Sequence, residues 1–115
     1  MKSKYFRRAE FACRCGCGFD SVDTETLGII EAVREHFDVP VKITSASRCP
    51  AYNADVGGSA VSQHMKGRAC DIQVQGVEPS VVAAYVETLL LGAGGLGRYK
   101  TFTHVDTRTG RPWRG

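Results

Sequence analysis

Three side chains with metal-binding chemistry stand out in the sequence, and two of them lie close together. His64 and Asp71 fall within the stretch SQHMKGRACD, and His104 follows much later within FTHVD. Two imidazoles and one carboxylate are the set that a catalytic zinc ion uses when its fourth position is kept for water. The residue types therefore predict one Zn²⁺ ion held by His64, Asp71 and His104.

The alternation of side chains along β-strands explains how these ligands could meet. In a strand over residues 69–74, Asp71 faces away from the apolar residues on either side of it. In a later strand over residues 99–107, His104 and Asp106 share a face, two steps or roughly 7 Å apart. The earlier histidine precedes a glycine and is expected in a loop. Two neighbouring strands and one loop would then supply the site.

The first stretch matches S-x-H-x-x-G-x-A-x-D at every fixed position, a pattern that resembles the zinc D-Ala-D-Ala carboxypeptidase family. The matching residues are Ser62, His64, Gly67, Ala69 and Asp71. His104 matches the family's later histidine ligand. Arg48 stands where the family places an arginine that holds the terminal carboxylate of the substrate. The resemblance covers residues from about 11 to 113, and it is to the small, single-domain members of the family.

This resemblance implies the Hedgehog/DD-peptidase fold, which is α+β, with a small antiparallel sheet carrying the zinc site and helices packed on its other face. It implies a zinc metallopeptidase that hydrolyses D-amino-acid-containing bonds in peptidoglycan stem peptides, as a carboxypeptidase or an endopeptidase, in a setting such as phage lysis. Arg48 would bind substrate and assist catalysis, since a guanidinium grips a carboxylate bidentately. Ser62 would either donate a hydrogen bond to the substrate or cap its loop.

The general base is the part of the family pattern that this sequence lacks. Many members carry an acid three residues before the last histidine, and related zinc enzymes carry a histidine two residues before it. This chain has Thr101 and Phe102 at those positions. Asp106 is the candidate replacement, because it shares the face of His104; its alternative role is to orient that histidine or pair with an arginine. An inactive zinc-containing wall-binding module of the same fold is therefore the second function considered.

The five cysteines do not form a standard zinc pattern. Cys13, Cys15 and Cys17 make a C-x-C-x-C run, whereas structural zinc sites usually show C-x-x-C spacing and four ligands. Free or partly buried thiols in a glycine-rich turn are the favoured interpretation, ahead of a second metal or a nucleic-acid-binding zinc module. Cys49 and Cys70 are expected to pack behind the site.

Length and charge indicate one domain over residues 1–115, with residues 1–10 extended or frayed. The net charge of +3 is too small to select a partner class, and no apolar run could span a bilayer. We expect a monomer that binds peptidoglycan and neither nucleic acid nor membrane. No secretory signal is visible, so cytoplasmic synthesis is expected, with release to the wall by a separate lysis system.

The remaining pattern predicts the elements around the motif. Helices are expected from Asp23 to before Pro40, over residues 50–56, and from Glu78 to Gly92, with a strand over residues 41–45. The glycine-rich segment 92–97 follows a helix, which is the wrong order for a phosphate loop. His36 is expected to be structural or solvated. Trp113 would anchor the core or rim, or line the substrate groove.

Overall fold

Five strands form one sheet in the computed structural model, which describes residues 2–115. The strands are β1 (Val41–Ser45), β2 (Ala69–Val74), β3 (Gly95–Arg98), β4 (Thr103–Asp106) and β5 (Trp113–Arg114). Their order across the sheet is β1-β2-β4-β3-β5. All neighbours are antiparallel except β3 and β5, which are parallel. The expected antiparallel sheet is therefore present, with one short parallel strand added at its edge.

The register of the central strands places two predicted ligands side by side. Asp71 of β2 lies directly opposite His104 of β4, and Gly97 of β3 lies on the other side of His104. Directly opposed residues have Cβ atoms only about 5 Å apart, so their side chains meet on one face of the sheet. Long-range strand pairing thus unites groups that are far apart in the sequence.

Three α-helices surround the sheet: α1 (Thr24–Phe37), α2 (Pro50–Asp55) and α3 (Pro79–Leu90). The Asp23 side chain caps α1 by accepting the backbone N–H of Glu25, and Asp38 ends it in a left-handed conformation. α3 begins with Pro79 in its first turn, where a missing N–H is harmless. The three predicted helices are confirmed.

The apolar faces of α1 and α3 pack on the same face of the sheet. Their buried residues are Leu27, Ile30, Val33, Val82, Ala83, Val86 and Leu90, and the sheet contributes Val41, Ile43, Cys70, Ile72, Val74, Leu96 and Val105. Since neighbouring residues of a strand point to opposite faces, the residues between these core positions point away from the helices. This α+β arrangement confirms the predicted fold class and leaves the other face for a site.

The predicted strand over residues 99–107 is wrong in its first half. The chain instead forms a hairpin in which β3 and β4 are joined by a turn, with the Tyr99 N–H donating to the Phe102 carbonyl over 3.3 Å. The sequence pattern predicts no strand in the glycine-rich segment 92–97, yet β3 begins there, and its glycines lie under neighbouring side chains. A Cβ at Gly95 would collide with the Asp106 carboxylate, and one at Gly97 would lie 3.1 Å from the His104 Cβ.

The N-terminal segment joins the core. Phe6 is buried, and a short 3₁₀ helix, Arg8–Phe11, ends in the fully buried Phe11. The Ser3 hydroxyl donates to the Glu31 carboxylate over 2.9 Å, which ties the segment to α1. The polar composition of residues 1–10 gave no sign of this packing. Across residues 2–115, none of the helices combines the length and apolar character needed to traverse a bilayer.

Candidate active site

The structure brings the side chains of His64, Asp71 and His104 together. Asp71 Oδ1 lies 3.3 Å from His64 Nε2 and 2.9 Å from His104 Nδ1. One ligand atom of each residue lies within 4.8 Å of the other two. His64 and Asp71 are 3% and 6% exposed, so the carboxylate and the first imidazole are largely shielded from water. Two strands and one loop supply the three groups, as the alternation of side chains predicted.

A short turn holds the His64 imidazole in a defined orientation. His64 lies in the 3₁₀ helix Gln63–Lys66, which Ser62 caps by accepting the His64 N–H and which Gly67 ends at a φ of 69°. His64 Nδ1 lies 2.7 Å from the Ala46 carbonyl oxygen. Because a carbonyl can only accept, Nδ1 carries a proton, and Nε2 is the nitrogen that faces Asp71. The capping role expected for Ser62 is thus present, and Ser62 also lines the cleft.

Asp106 orients the second imidazole. Its Oδ2 lies 2.8 Å from His104 Nε2, and its side chain is fully buried. Arg108 donates from Nε to Oδ1 over 2.9 Å, from its side-chain Nη2 to Oδ2 over 2.7 Å, and from its backbone N–H to Oδ1 over 3.1 Å. Both oxygens of Asp106 are therefore occupied. Of the two roles considered for Asp106, the geometry favours orientation of His104 over proton transfer in the cleft.

The ionisation of the three central groups follows from their contacts. Burial raises the pKa of Asp71, but hydrogen bonds from His104 and His64 outweigh it and lower that pKa to about 2. Burial also opposes ionisation of Asp106, yet the Arg108 hydrogen bonds hold the pKa of Asp106 far below its usual range. Burial lowers the pKa of His104, while Asp106 and Asp71 raise it more strongly, so it lies above its ordinary value. Two ionised carboxylates therefore flank one imidazole.

This donor set fits a zinc ion. Two imidazole nitrogens and one carboxylate oxygen converge from three directions, and the carboxylate is ionised at neutral pH, as a cation requires. His64 presents Nε2, because its Nδ1 is held by a carbonyl, and His104 presents Nδ1, because its Nε2 is held by Asp106. Each imidazole thus has one nitrogen fixed by a hydrogen-bond acceptor and one turned to the centre, which is typical of metal-binding histidines.

A cleft of about 550 Å³ opens above these groups. Tyr99, Phe102 and Trp113 form one wall, where the rings of Tyr99 and Phe102 stack with centroids 4.5 Å apart. Trp113 meets His104 edge-on at 5.7 Å, and the Arg108 guanidinium lies 5.3 Å from the Trp113 ring. Of the roles considered for Trp113, lining the groove is the one observed. Tyr99 and Phe102 lie in the turn between β3 and β4, so the sequence did not indicate that they would share a wall with Trp113.

Arg48 lies on the opposite wall of the cleft. Its backbone N–H donates to the His64 carbonyl over 3.1 Å, which fastens it to the motif loop. Its guanidinium reaches Ser45 Oγ at 3.1 Å, Asn53 Oδ1 at 3.4 Å and Asp71 Oδ2 at 3.5 Å. The last two bonds are long and therefore weak, so these donors can be given up to a substrate. Asn53 was missed from the sequence, although it is buried and also donates to the Ser59 carbonyl over 2.9 Å.

The cleft offers few groups for proton transfer. Within residues 2–115, Asp71 is the one carboxylate among the lining residues. Phe102 lines the cleft without an ionisable group, and Thr101 faces a separate, smaller pocket behind β2. The exposed Asp55 lies at the end of α2 and is not part of the lining, so it is not placed to act as a base.

Comparison with known proteins identifies the family. The chain is 43% identical over 56 residues to the probable peptidoglycan L,D-endopeptidase MepK of Haemophilus influenzae, a match that covers 47% of this chain and 29% of that protein. The chain thus spans less than a third of the length of this relative. The family model of peptidase M15 matches residues 4–106, which include the whole motif and the later histidine. The chain therefore belongs to the peptidase M15 family, as the motif predicted.

Proposed function

We propose that this protein is a zinc-dependent peptidase that hydrolyses D-amino-acid-containing bonds in the stem peptides of peptidoglycan. The observation that carries the proposal is the convergence of His64, Asp71 and His104 at the floor of an open cleft. Membership of a peptidase family supports the reaction class, and the peptidoglycan endopeptidase of Haemophilus influenzae supports the substrate class.

The residues of the floor would hold the ion and leave one side open to the cleft. When bound there, zinc would polarise a peptide carbonyl and lower the pKa of a water molecule towards roughly 7. The carboxylate of Asp71 would contribute negative charge to the ion, and contacts with Ala46 and Asp106 hold the two histidines in place. Since these supports are already in place, the ligands need little reorganisation when the substrate binds.

The walls suit a short peptide with small side chains and a carboxylate. Arg48 can turn its two weakly bound donors towards a terminal carboxylate or a peptide carbonyl beside the metal. The aromatic wall opposite would pack against peptide planes and alanine methyl groups. We infer that Arg48 binds a free carboxylate when the enzyme acts as a carboxypeptidase, and a chain carbonyl when it acts as an endopeptidase.

The test uses purified muropeptides and the zinc-loaded protein. We expect a new amine and a loss of mass detected by mass spectrometry, with no change in His64→Ala. The mass that is lost identifies the bond, because removal of one alanine indicates a carboxypeptidase and release of a longer fragment indicates an endopeptidase. Asp55→Asn is the matched control and should keep full activity. A zinc-loaded protein that leaves every muropeptide intact would overturn the proposal.

A binding module without turnover is the second candidate, and one observation favours it. Among the residues of the described cleft, no carboxylate other than the metal ligand Asp71 is available as a base. Such a module would still bind muropeptides and would lose that binding in Arg48→Ala. Calorimetry distinguishes the two functions: saturable binding without any product after prolonged incubation supports the module, whereas product formation supports the peptidase.

A further inference from the structure

Four cysteines come together outside the candidate active site. Cys13, Cys15 and Cys17 lie on the N-terminal loop, and Cys49 lies at the start of α2. The Sγ atoms of all four are within 4.8 Å of one another. Cys13 and Cys15 are 3.4 Å apart through their sulfurs, and Cys15 and Cys49 are 3.6 Å apart. The fourth thiol, which the sequence pattern lacked, comes from 34 positions further along the chain.

These separations are those of a tetrahedral thiolate shell. Four sulfurs at about 2.3 Å from a zinc ion lie about 3.8 Å from one another. The two pairs described above, at 3.4 and 3.6 Å, lie close to this value and well beyond the S–S bond length of about 2.05 Å. Among the described residues, all five cysteines are free thiols, and four of them share this one cluster.

The backbone of the loop is shaped around the sulfurs. Gly16 and Gly18 have φ angles of 83° and 92°, which other residues adopt only with strain. The loop is closed by the Cys13 N–H, which donates to the Phe19 carbonyl over 2.7 Å. These turns allow alternate residues of a C-x-C-x-C run to present their sulfurs to a common centre. The C-x-C-x-C spacing, which differs from the usual spacing of zinc ligands, is therefore compatible with a metal site.

Backbone donors are also directed at the sulfurs. The Cys49 N–H donates to Cys13 Sγ over 3.4 Å, and the Tyr52 N–H donates to Cys49 Sγ over 3.4 Å. Such N–H donors stabilise the negative charge that four metal-bound thiolates carry. The fifth cysteine, Cys70, is different, because it is fully buried in the core and lies outside the cluster. Cys70 thus packs in the core beside Asp71, whereas Cys49 belongs to the cluster.

We propose that Cys13, Cys15, Cys17 and Cys49 form a structural site for a second zinc ion. Four protein ligands would complete the tetrahedral shell and leave no position for water, which is the form of a structural site. The ion would join the N-terminal loop to the start of α2, directly after Arg48 in the cleft wall. This site is independent of the proposed peptidase function and would exist equally in a binding module.

The first test is the zinc content of the full chain purified with reductant. We expect two zinc ions per chain in the wild type, one in Cys15→Ser and one in His64→Ala. Cys70→Ala is the matched control and should retain two. Equal zinc in Cys15→Ser and the wild type overturns the second site. Loss of zinc in Cys15→Ser with none lost in His64→Ala supports this site and contradicts the proposed catalytic one.

The second test uses Co²⁺ as the probe. Intense thiolate-to-cobalt charge-transfer bands should appear in the wild type and in His64→Ala, and they should be absent in Cys15→Ser. If the serine variant does not fold, thiol titration of the wild type decides the matter. Four thiols should react slowly until zinc is removed by a chelator, and the native protein should release zinc as they react. Immediate reaction of the exposed Cys15 and Cys17, without zinc release, overturns the proposal.

Discussion

Replacement of Asp106 by asparagine separates the two roles that a carboxylate beside His104 could have. In the structure, Asp106 accepts three hydrogen bonds from Arg108 and contacts His104 Nε2 at 2.8 Å. Asparagine keeps the shape but offers one acceptor oxygen, so its amide group must face either His104 Nε2 and Arg108 Nη2, or Arg108 Nε and the Arg108 backbone N–H. Two donors are therefore left without an acceptor beside a fully buried side chain.

The expected magnitudes follow from this geometry. Loss of a carboxylate that supports a metal-binding histidine lowers metal affinity about 10–100-fold, or about 1.4–2.7 kcal/mol. Breaking a buried charge pair costs about 3–5 kcal/mol of folding free energy. The Arg108 side chain is 24% exposed and can recover some hydration. We therefore expect Asp106→Asn to lower the free energy of unfolding by about 2 kcal/mol, which is less than the cost of breaking a fully buried charge pair.

The assay measures zinc affinity and turnover separately. Zinc Kd is obtained by competition with a chromophoric chelator, and kcat is measured on muropeptides at saturating zinc, with Asp55→Asn as the exposed-carboxylate control. An orienting Asp106 predicts weaker zinc binding, with kcat restored to within about tenfold once zinc saturates the site. A catalytic base predicts unchanged affinity and a kcat that is about 10²–10⁴-fold lower. The second result would refute the orientation argument.

Three further predictions concern the cleft and its supports. Arg48→Lys should lower kcat/KM about 10–100-fold for stem peptides with a free carboxylate and leave zinc content unchanged, because an ammonium cannot bind bidentately. Gly95→Ala should destabilise the protein by about 1–3 kcal/mol, measured by urea unfolding, since its methyl group would overlap the neighbouring carboxylate of β4; Gly28→Ala, on an open helix surface, should be neutral or stabilising. The third prediction concerns the pH dependence of the metal-free protein. The lowered pKa of Asp71 stabilises the folded state above about pH 4, and this stabilisation is lost as the pH falls towards 2. The raised pKa of His104 stabilises the folded state below about pH 6.5, and this stabilisation is lost as the pH rises through the pKa of His104 in the folded protein. Unfolding midpoints should therefore peak between these limits, and His104→Gln should flatten the alkaline decline.

The fold class and the meeting of His64, Asp71 and His104 could be predicted because the sequence signals for them are local. Alternation in β2 fixes which face Asp71 occupies, and the same rule places His104 and Asp106 together. The helical periodicity of α1 and α3 shows which faces are apolar. These patterns need no knowledge of distant partners, and the structure reproduces them.

Strand β3 could not be predicted, because its residues are determined by the side chains that pack over them and not by strand propensity. Gly95 and Gly97 lack side chains so that Asp106 and His104 can lie across them. In the sequence, the same glycines weaken the signal for a strand. The cysteine cluster escaped detection for a related reason, since Cys49 reaches the other thiols only through tertiary folding.

The H-x-D spacing in β4 also indicates which nitrogen of His104 faces the site. Residues two apart on a strand share a face, so the aspartate lies on the same face as the histidine and within reach of its ring. In this structure the contact is made at Nε2, which leaves Nδ1 as the nitrogen beside Asp71. His64 has the opposite arrangement, because its Nδ1 contacts a carbonyl oxygen and its Nε2 is the nitrogen beside Asp71. We therefore expect the two histidines to bind a metal through different nitrogens, and ¹⁵N spectra of the zinc-loaded protein that show ligation through the same nitrogen in both would contradict the proposed site.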